Sequence, residues 1–167
     1  MVPLLTPTRR RRLGTVHIAL GCLGAVVTVL LPLAGIGAVN AAGNGGPALP
    51  VPVAVPLFVV LTGLVAVYTV HLFRKAARWM RAAGTPALAG ATTGQVQEIS
   101  TNRFRTRVRV DVPDRSPSML LTEDGLDTSS VVGDQLQLEW YLVEARAMGA
   151  YRNIRTGRVR AVTGLLP

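Results

Sequence analysis

The side chains whose types and spacing could do chemistry are two histidines, one cysteine and a run of alternating arginines. His17 and His71 both fall in apolar stretches, five residues inside Arg12 and three residues before Arg74. Two antiparallel helices would hold these imidazoles at similar depth, where they could ligate a metal or haem iron or relay a proton. The plainer reading has each ring at a membrane interface with its polar edge turned to water. Cys22 is the single cysteine, so neither an intrachain disulfide nor a cysteine metal cluster can form. A lone cysteine in an apolar stretch usually acts as a small hydrophobe, against the alternative of a lipidated or reactive thiol.

Arg103, Arg105, Arg107 and Arg109 alternate with Phe104, Thr106, Val108 and Val110, the period of a strand with one dry face and one cationic face. Cations spaced by about 6.6 to 6.8 Å could lie against anionic lipid headgroups or an acidic protein partner. The alternative pairs them across a sheet with Glu98, Asp111, Glu123, Asp124, Glu139 or Glu144, as a solvated polar face.

Catalytic signatures are missing from the sequence. The half after Phe73 has no His and no Cys, which excludes histidine-activated nucleophiles and ordinary zinc sites there. Carboxylates group at Asp111 and Asp114 and at Glu123, Asp124 and Asp127, beside Pro113, Pro117 and Gly125, where acidic residues commonly make turns. No GxxxxGK[ST] or GxGxxG phosphate loop is present. The expectation is therefore no enzyme, no metal and no cofactor.

The elements that must position these side chains follow from charge. From Leu13 to Phe73 there is no Asp, Glu, Lys or Arg, and so long an uncharged stretch belongs in lipid. Two transmembrane helices are expected, at about 14–39 and 51–73, joined by an extracytoplasmic connector, 40–50, in which Gly43, Gly45, Gly46 and Pro47 reverse the chain. Residues 1–12 form a basic N-terminus and 74–91 a basic juxtamembrane helix and linker.

The net charge of +9 sits mostly at the span ends: Arg9 to Arg12 before the first, and Arg74, Lys75, Arg78 and Arg81 after the second. From Glu98 onward ten arginines face all nine acidic residues. That distribution marks topology determinants rather than a nucleic-acid groove. It predicts a multi-pass protein of the cell membrane with both termini cytoplasmic. Val39-Asn40-Ala41 has the residue types of a signal-peptidase site, but the apolar region is about twice the typical ~7 to 15 residues. Cleavage there would in any case leave the tail cytoplasmic. Trp79 among the four juxtamembrane cations suits the headgroup layer. Gly21 with Ala25, and Ala34 with Ala38, are small-residue steps for close helix packing within the hairpin or between two copies as a homo-oligomer. A single lysine among 18 basic residues, with abundant Ala, Gly, Val and Leu, suggests a GC-rich bacterial genome.

Residues 92–167 read as a β-domain. Leu136, Leu138, Trp140 and Leu142 alternate with Gln135, Gln137, Glu139 and Tyr141, a half-buried strand. Further strands are expected at 94–99, 103–112, 119–122, 151–155 and 158–162, the last two joined by a two-residue turn at Thr156-Gly157. Six such strands make a small antiparallel β-barrel or β-sandwich. The domain from about residue 85 is expected to fold by itself.

With two spans, then GQVQEI, RFRTRVRVDV and GDQLQLEWY, the chain resembles bacterial integral membrane proteins of uncharacterised function. Those place a small cytosolic β-domain after a two-helix transmembrane hairpin. The resemblance covers about residues 90–145 and departs after Tyr141, where LVEARAMGAY replaces a proline-containing continuation. It implies the layout and no activity. The fold class expected is thus α+β, a transmembrane hairpin followed by a β-domain. The function expected is that of a non-enzymatic interaction or scaffold module anchored in the membrane. The alternative is an accessory subunit of a transporter or redox complex using His17 and His71.

Overall fold

The computed structural model describes residues 3–44, 50–86, 92–113, 116–143 and 146–164, with the side chains of 42 and 146 excepted. Two long helices precede six strands: α1 (Pro7–Gly43), α2 (Val51–Ala82), β1 (Thr92–Thr101), β2 (Thr106–Asp111), β3 (Ser118–Thr122), β4 (Gln135–Val143), β5 (Arg146–Asn153) and β6 (Val159–Thr163). The chain divides into two compact units, one of residues Gly14–Ala77 and one that joins Met1–Leu13 to Arg78–Pro167.

Both helices are long and apolar enough to cross a bilayer. Each extends past the uncharged stretch. Helix α1 starts seven residues early because Thr6 caps it, its Oγ1 accepting the Arg9 N–H at 3.2 Å, with Pro7 at the first helical position and four helix-favouring arginines behind it. Pro32 lies inside α1 without ending it. Helix α2 runs through the basic segment without a break and closes with Gly84 N donating to Arg81 O at 3.0 Å. Of the connector glycines, Gly43 is still helical, while Gly45, Gly46 and Pro47 lie outside the described residues.

Within residues 14–77 the helices pack antiparallel through glycines. A Cβ on Gly21 or on Gly35 would come within 3.0 Å of the Phe73 or the Phe58 ring, and one on Gly24 would strike the Thr69 hydroxyl. Gly21 of the two small-residue steps is thus a packing position inside the hairpin. The same register sets His17 level with Ala76 and His71 level with Cys22, about five residues or ~7.5 Å apart along the axis. The histidines therefore do not share a depth. His17 is buried and His71 exposed.

The strands close into a barrel in the order β1-β2-β3-β6-β5-β4, all pairs antiparallel. A sandwich is excluded by the β1–β4 pairing that shuts the sheet on itself. Val96, Val108, Val110, Leu120, Leu136, Leu138, Trp140, Tyr151 and Val162 fill the interior. Gly94 is required at the β1–β2 contact, where a Cβ would lie 2.5 Å from Val110 Cγ1 and 2.8 Å from the Asp111 carbonyl oxygen.

Several strand expectations shift. The β2 strand begins at Thr106, not at 103, because Asn102 Oδ1 accepts the Phe104 and Arg105 N–H groups at 3.0 and 2.8 Å and holds a tight turn. Phe104, expected on the dry face, is 78% exposed. The strand expected at 151–155 is the far end of β5, which starts at Arg146. Its Ala147, Gly149 and Ala150 carry little strand propensity. The β5–β6 connection is five residues, 154–158, rather than two, closed by Asn153 N donating to Arg158 O at 2.9 Å, with Gly157 at φ +70°. Leu142, at the end of β4, is exposed.

The outer wall of β4, β5 and β6 is covered over part of its length, while Gln135 and Arg152 on the same face stay exposed. Tyr141, Val143, Met148, Ala150 and Ala161 are buried beneath Leu4, Leu5, Leu13, Trp79 and Ala82. The segment before α1 and the end of α2 therefore pack against the barrel within one unit.

Candidate functional site

The sequence-predicted contact residues separate into two groups. Among the juxtamembrane residues, Arg74 and Arg81 are exposed, Arg78 is half-buried and Lys75 is buried. Trp79 is 0% exposed, inside the apolar cluster on the barrel wall. The ring expected in the headgroup layer is thus packed against the barrel instead. The indole is more useful to the fold as the largest side chain of that cluster than at a surface.

The second group is the arginines around β2. Only Arg107 and Arg109 stand on the strand, both exposed and pointing outward. Arg103 and Arg105 belong to the preceding turn, on either side of Phe104. Across the sheet Arg109 faces Glu98 and Met119, and Arg107 faces Ser100 and Leu121. A shallow hollow of about 130 Å³ lies among Glu98, Ser100, Arg107, Arg109 and Met119. Of the expected carboxylate partners, Glu123 lies 3.9 Å from Arg105. Among the described residues no carboxylate pairs with Arg107 or Arg109. Glu144 lies outside the described residues.

A third constellation was not legible as a site. Arg10, one of four consecutive arginines, is buried. Its guanidinium lies 4.4 Å from the Tyr141 ring centroid and donates through Nη1 to the Ala82 and Thr85 carbonyl oxygens, the latter at 2.6 Å. One cation thus covers an aromatic ring and caps the carbonyls left open at the end of α2. Beside it the Glu139 carboxylate, 6% exposed, accepts the Leu4 N–H at 2.6 Å and the Tyr141 hydroxyl. Burial, then the neighbouring Glu139, push the Tyr141 phenol well above its usual range, so it remains a donor. Arg9 reaches Asp124 Oδ2 at 2.8 Å and the Val159 carbonyl at 3.2 Å.

The acidic residues are likewise occupied. Asp127 accepts the Ser129 and Ser130 N–H groups, both their hydroxyls and the Tyr151 hydroxyl. Burial works against its charge, but the hydrogen bonds from Ser130, Tyr151 and Ser129 outweigh it and hold the carboxyl well below its usual range. Tyr151 is raised by burial and by Asp127. Five donors saturate the lone pairs of one carboxylate, leaving none to take a substrate proton. Asp134 binds Arg155 at 2.7 Å and Asn153 at 2.7 Å; the Arg155 hydrogen bond is the main reason its carboxyl is held low. Asp127, Asp124 and Glu123 thus serve separate contacts. Asp114 lies outside the described residues. Among the described residues no three of His, Cys, Asp or Glu converge as metal ligands would.

Within residues 14–77 a groove of about 490 Å³ runs between Pro32, Gly35, Ile36, Val55, Phe58 and Val59. Its lining is mostly apolar, with Asn40 and Thr62 as the polar members, and the Thr62 hydroxyl is spent on the Phe58 carbonyl at 2.7 Å.

No family model matches the chain, and no curated protein or solved structure is similar to it.

Proposed function

We propose that the chain is a membrane-anchored interaction module without catalytic activity. Its two helices span the cell membrane and hold the barrel, with both termini, on the cytoplasmic side. The observation that carries this reading is the docking of the N-terminal segment on the barrel. Leu5 is 0% exposed within the cluster on the β4–β5–β6 wall, and the Leu4 N–H is bound by Glu139. The chain before α1 is thus built into the domain after α2, which requires an even number of crossings between them. Arginines at the outer end of each helix and none in the connector favour the cytoplasmic side. The open face of β1, β2 and β3, with unpaired arginines, is the surface on which a partner would bind. The histidine-ligand alternative is disfavoured by the offset of His17 from His71.

The test replaces Cys22 by Ser and places single cysteines at Asn44 or Ser100. In intact cells a membrane-impermeant maleimide is expected to label the Asn44 position alone, and the Ser100 position only after lysis. Labelling of Ser100→Cys in intact cells would reverse the topology, and recovery of the untreated protein in the soluble fraction would end the reading.

A further inference from the structure

From the open half of the barrel we infer that its natural ligand is an extended acidic peptide segment, with carboxylates at alternate positions and an apolar side chain at one end. This deepens the interaction-module reading and rests on it. The barrel has two unlike outer walls. The β4–β5–β6 wall is covered by the protein's own Leu4, Leu5, Trp79 and Ala82. The β1–β2–β3 wall presents Arg107 and Arg109, which no described carboxylate neutralises, around the hollow they share with Glu98, Ser100 and Met119.

Phe104 crowns this wall. Its ring is 78% exposed, and it is held rather than loose. Asn102 fixes the turn through both Phe104 N–H and Arg105 N–H, and Asn102 N donates to Arg105 O at 3.0 Å. The turn lies at the opposite end of the barrel from the β4–β5 hairpin, because β1 runs past Gln95, its last partner on β4, by six further residues.

Geometry selects the ligand class. A bilayer touching the turn tip-first would engage Arg103, Phe104 and Arg105 and leave Arg107 and Arg109 unused along the strand. An extended chain repeats its side chains every two residues, about 6.6 to 6.8 Å, the spacing of Arg107 and Arg109 on β2. One carboxylate can then enter the hollow between Arg107 and Arg109, while an apolar side chain meets Phe104. Asp111, beyond Arg109 at the far end of the stripe, repels a further acid and so sets the register, while Glu98, directly across from Arg109, bounds the hollow on that side.

The test uses the full chain in nanodiscs of zwitterionic phosphatidylcholine, with a fluorescein-labelled peptide of alternating Glu and Thr ending in Leu. Binding is expected at low salt and should weaken as salt is added. It should fall about tenfold in an R107Q/R109Q double variant and about fivefold in Phe104→Ser, and stay unchanged in Arg158→Gln on another exposed surface. A peptide of the same composition with its glutamates in one block should bind more weakly. Equal affinity for both peptides, or for the wild type and R107Q/R109Q, overturns the site. So does a preference for nanodiscs of anionic lipid, sensitive to the same substitutions, over the peptide. A partner that purifies with the native protein and is indifferent to R107Q/R109Q and Phe104→Ser would leave the module reading standing while removing this surface from it.

Discussion

A single buried carboxylate shows how far side-chain chemistry is spent on structure here. Asp127 collects two backbone and three hydroxyl donors, and removing its charge strands them in a buried place. Asp127→Asn is expected to cost about 1 to 3 kcal/mol of barrel stability, and Tyr151→Phe less, since the remaining donors still satisfy the carboxylate. Both are read by urea unfolding in mild detergent. Because the native carboxyls of Asp127 and Asp134 lie below the usual value near ~4, their stabilisation is fully present above that pH. It is lost as pH falls from there toward and through the depressed native values. The unfolding midpoint should thus decline below about pH 4 in the wild type and decline less steeply in Asp127→Asn; parallel curves would assign the acid sensitivity elsewhere.

At the level of elements, close approach is the controlling feature. Helix packing at Gly24 leaves no room beside the Thr69 hydroxyl, so Gly24→Leu should part the two helices, while Gly37→Leu, with open space around it, should not. Resistance to unfolding by SDS distinguishes them, and equal loss in both would show that bulk alone matters. The barrel has its counterpart in Gly94, where an alanine methyl would press on the Asp111 carbonyl. A cost of about 1 to 3 kcal/mol is expected, visible as a lower urea midpoint.

The whole molecule is tied together by its first residues. Removing residues 1–6 would uncover Tyr141, Met148 and Ala150 and forfeit the burial of Leu5, worth about 1.5 to 3 kcal/mol by itself. The truncated protein is expected to melt at lower temperature and to expose apolar surface to a hydrophobic dye. A fragment of residues 85–167, lacking Trp79 as well, should aggregate. A stable, monomeric fragment would mean that the N-terminal segment decorates the barrel without supporting it.

The two helices, their apolar character and the strands β2 and β4 were legible because each rests on local information. An uncharged run of that length reads as long apolar helix, and strict alternation from Thr106 to Asp111 or from Gln135 to Trp140 admits one backbone period. The candidate contact surface was legible in part: its arginines could be named, but not which of them lie on the strand. That depended on Asn102 turning the chain before Thr106. Alternation also placed Glu139 and Tyr141 on the wet side of β4, correctly as to face and incorrectly as to burial. Whether an outer face meets water is decided by what folds over it, and here the cover comes from the end of α2 and from residues before α1 more than a hundred positions away, held by Arg10 and Leu5. No periodicity in a strand records a contact of that range, so which half of the barrel is covered and which is left open was settled only by tertiary structure.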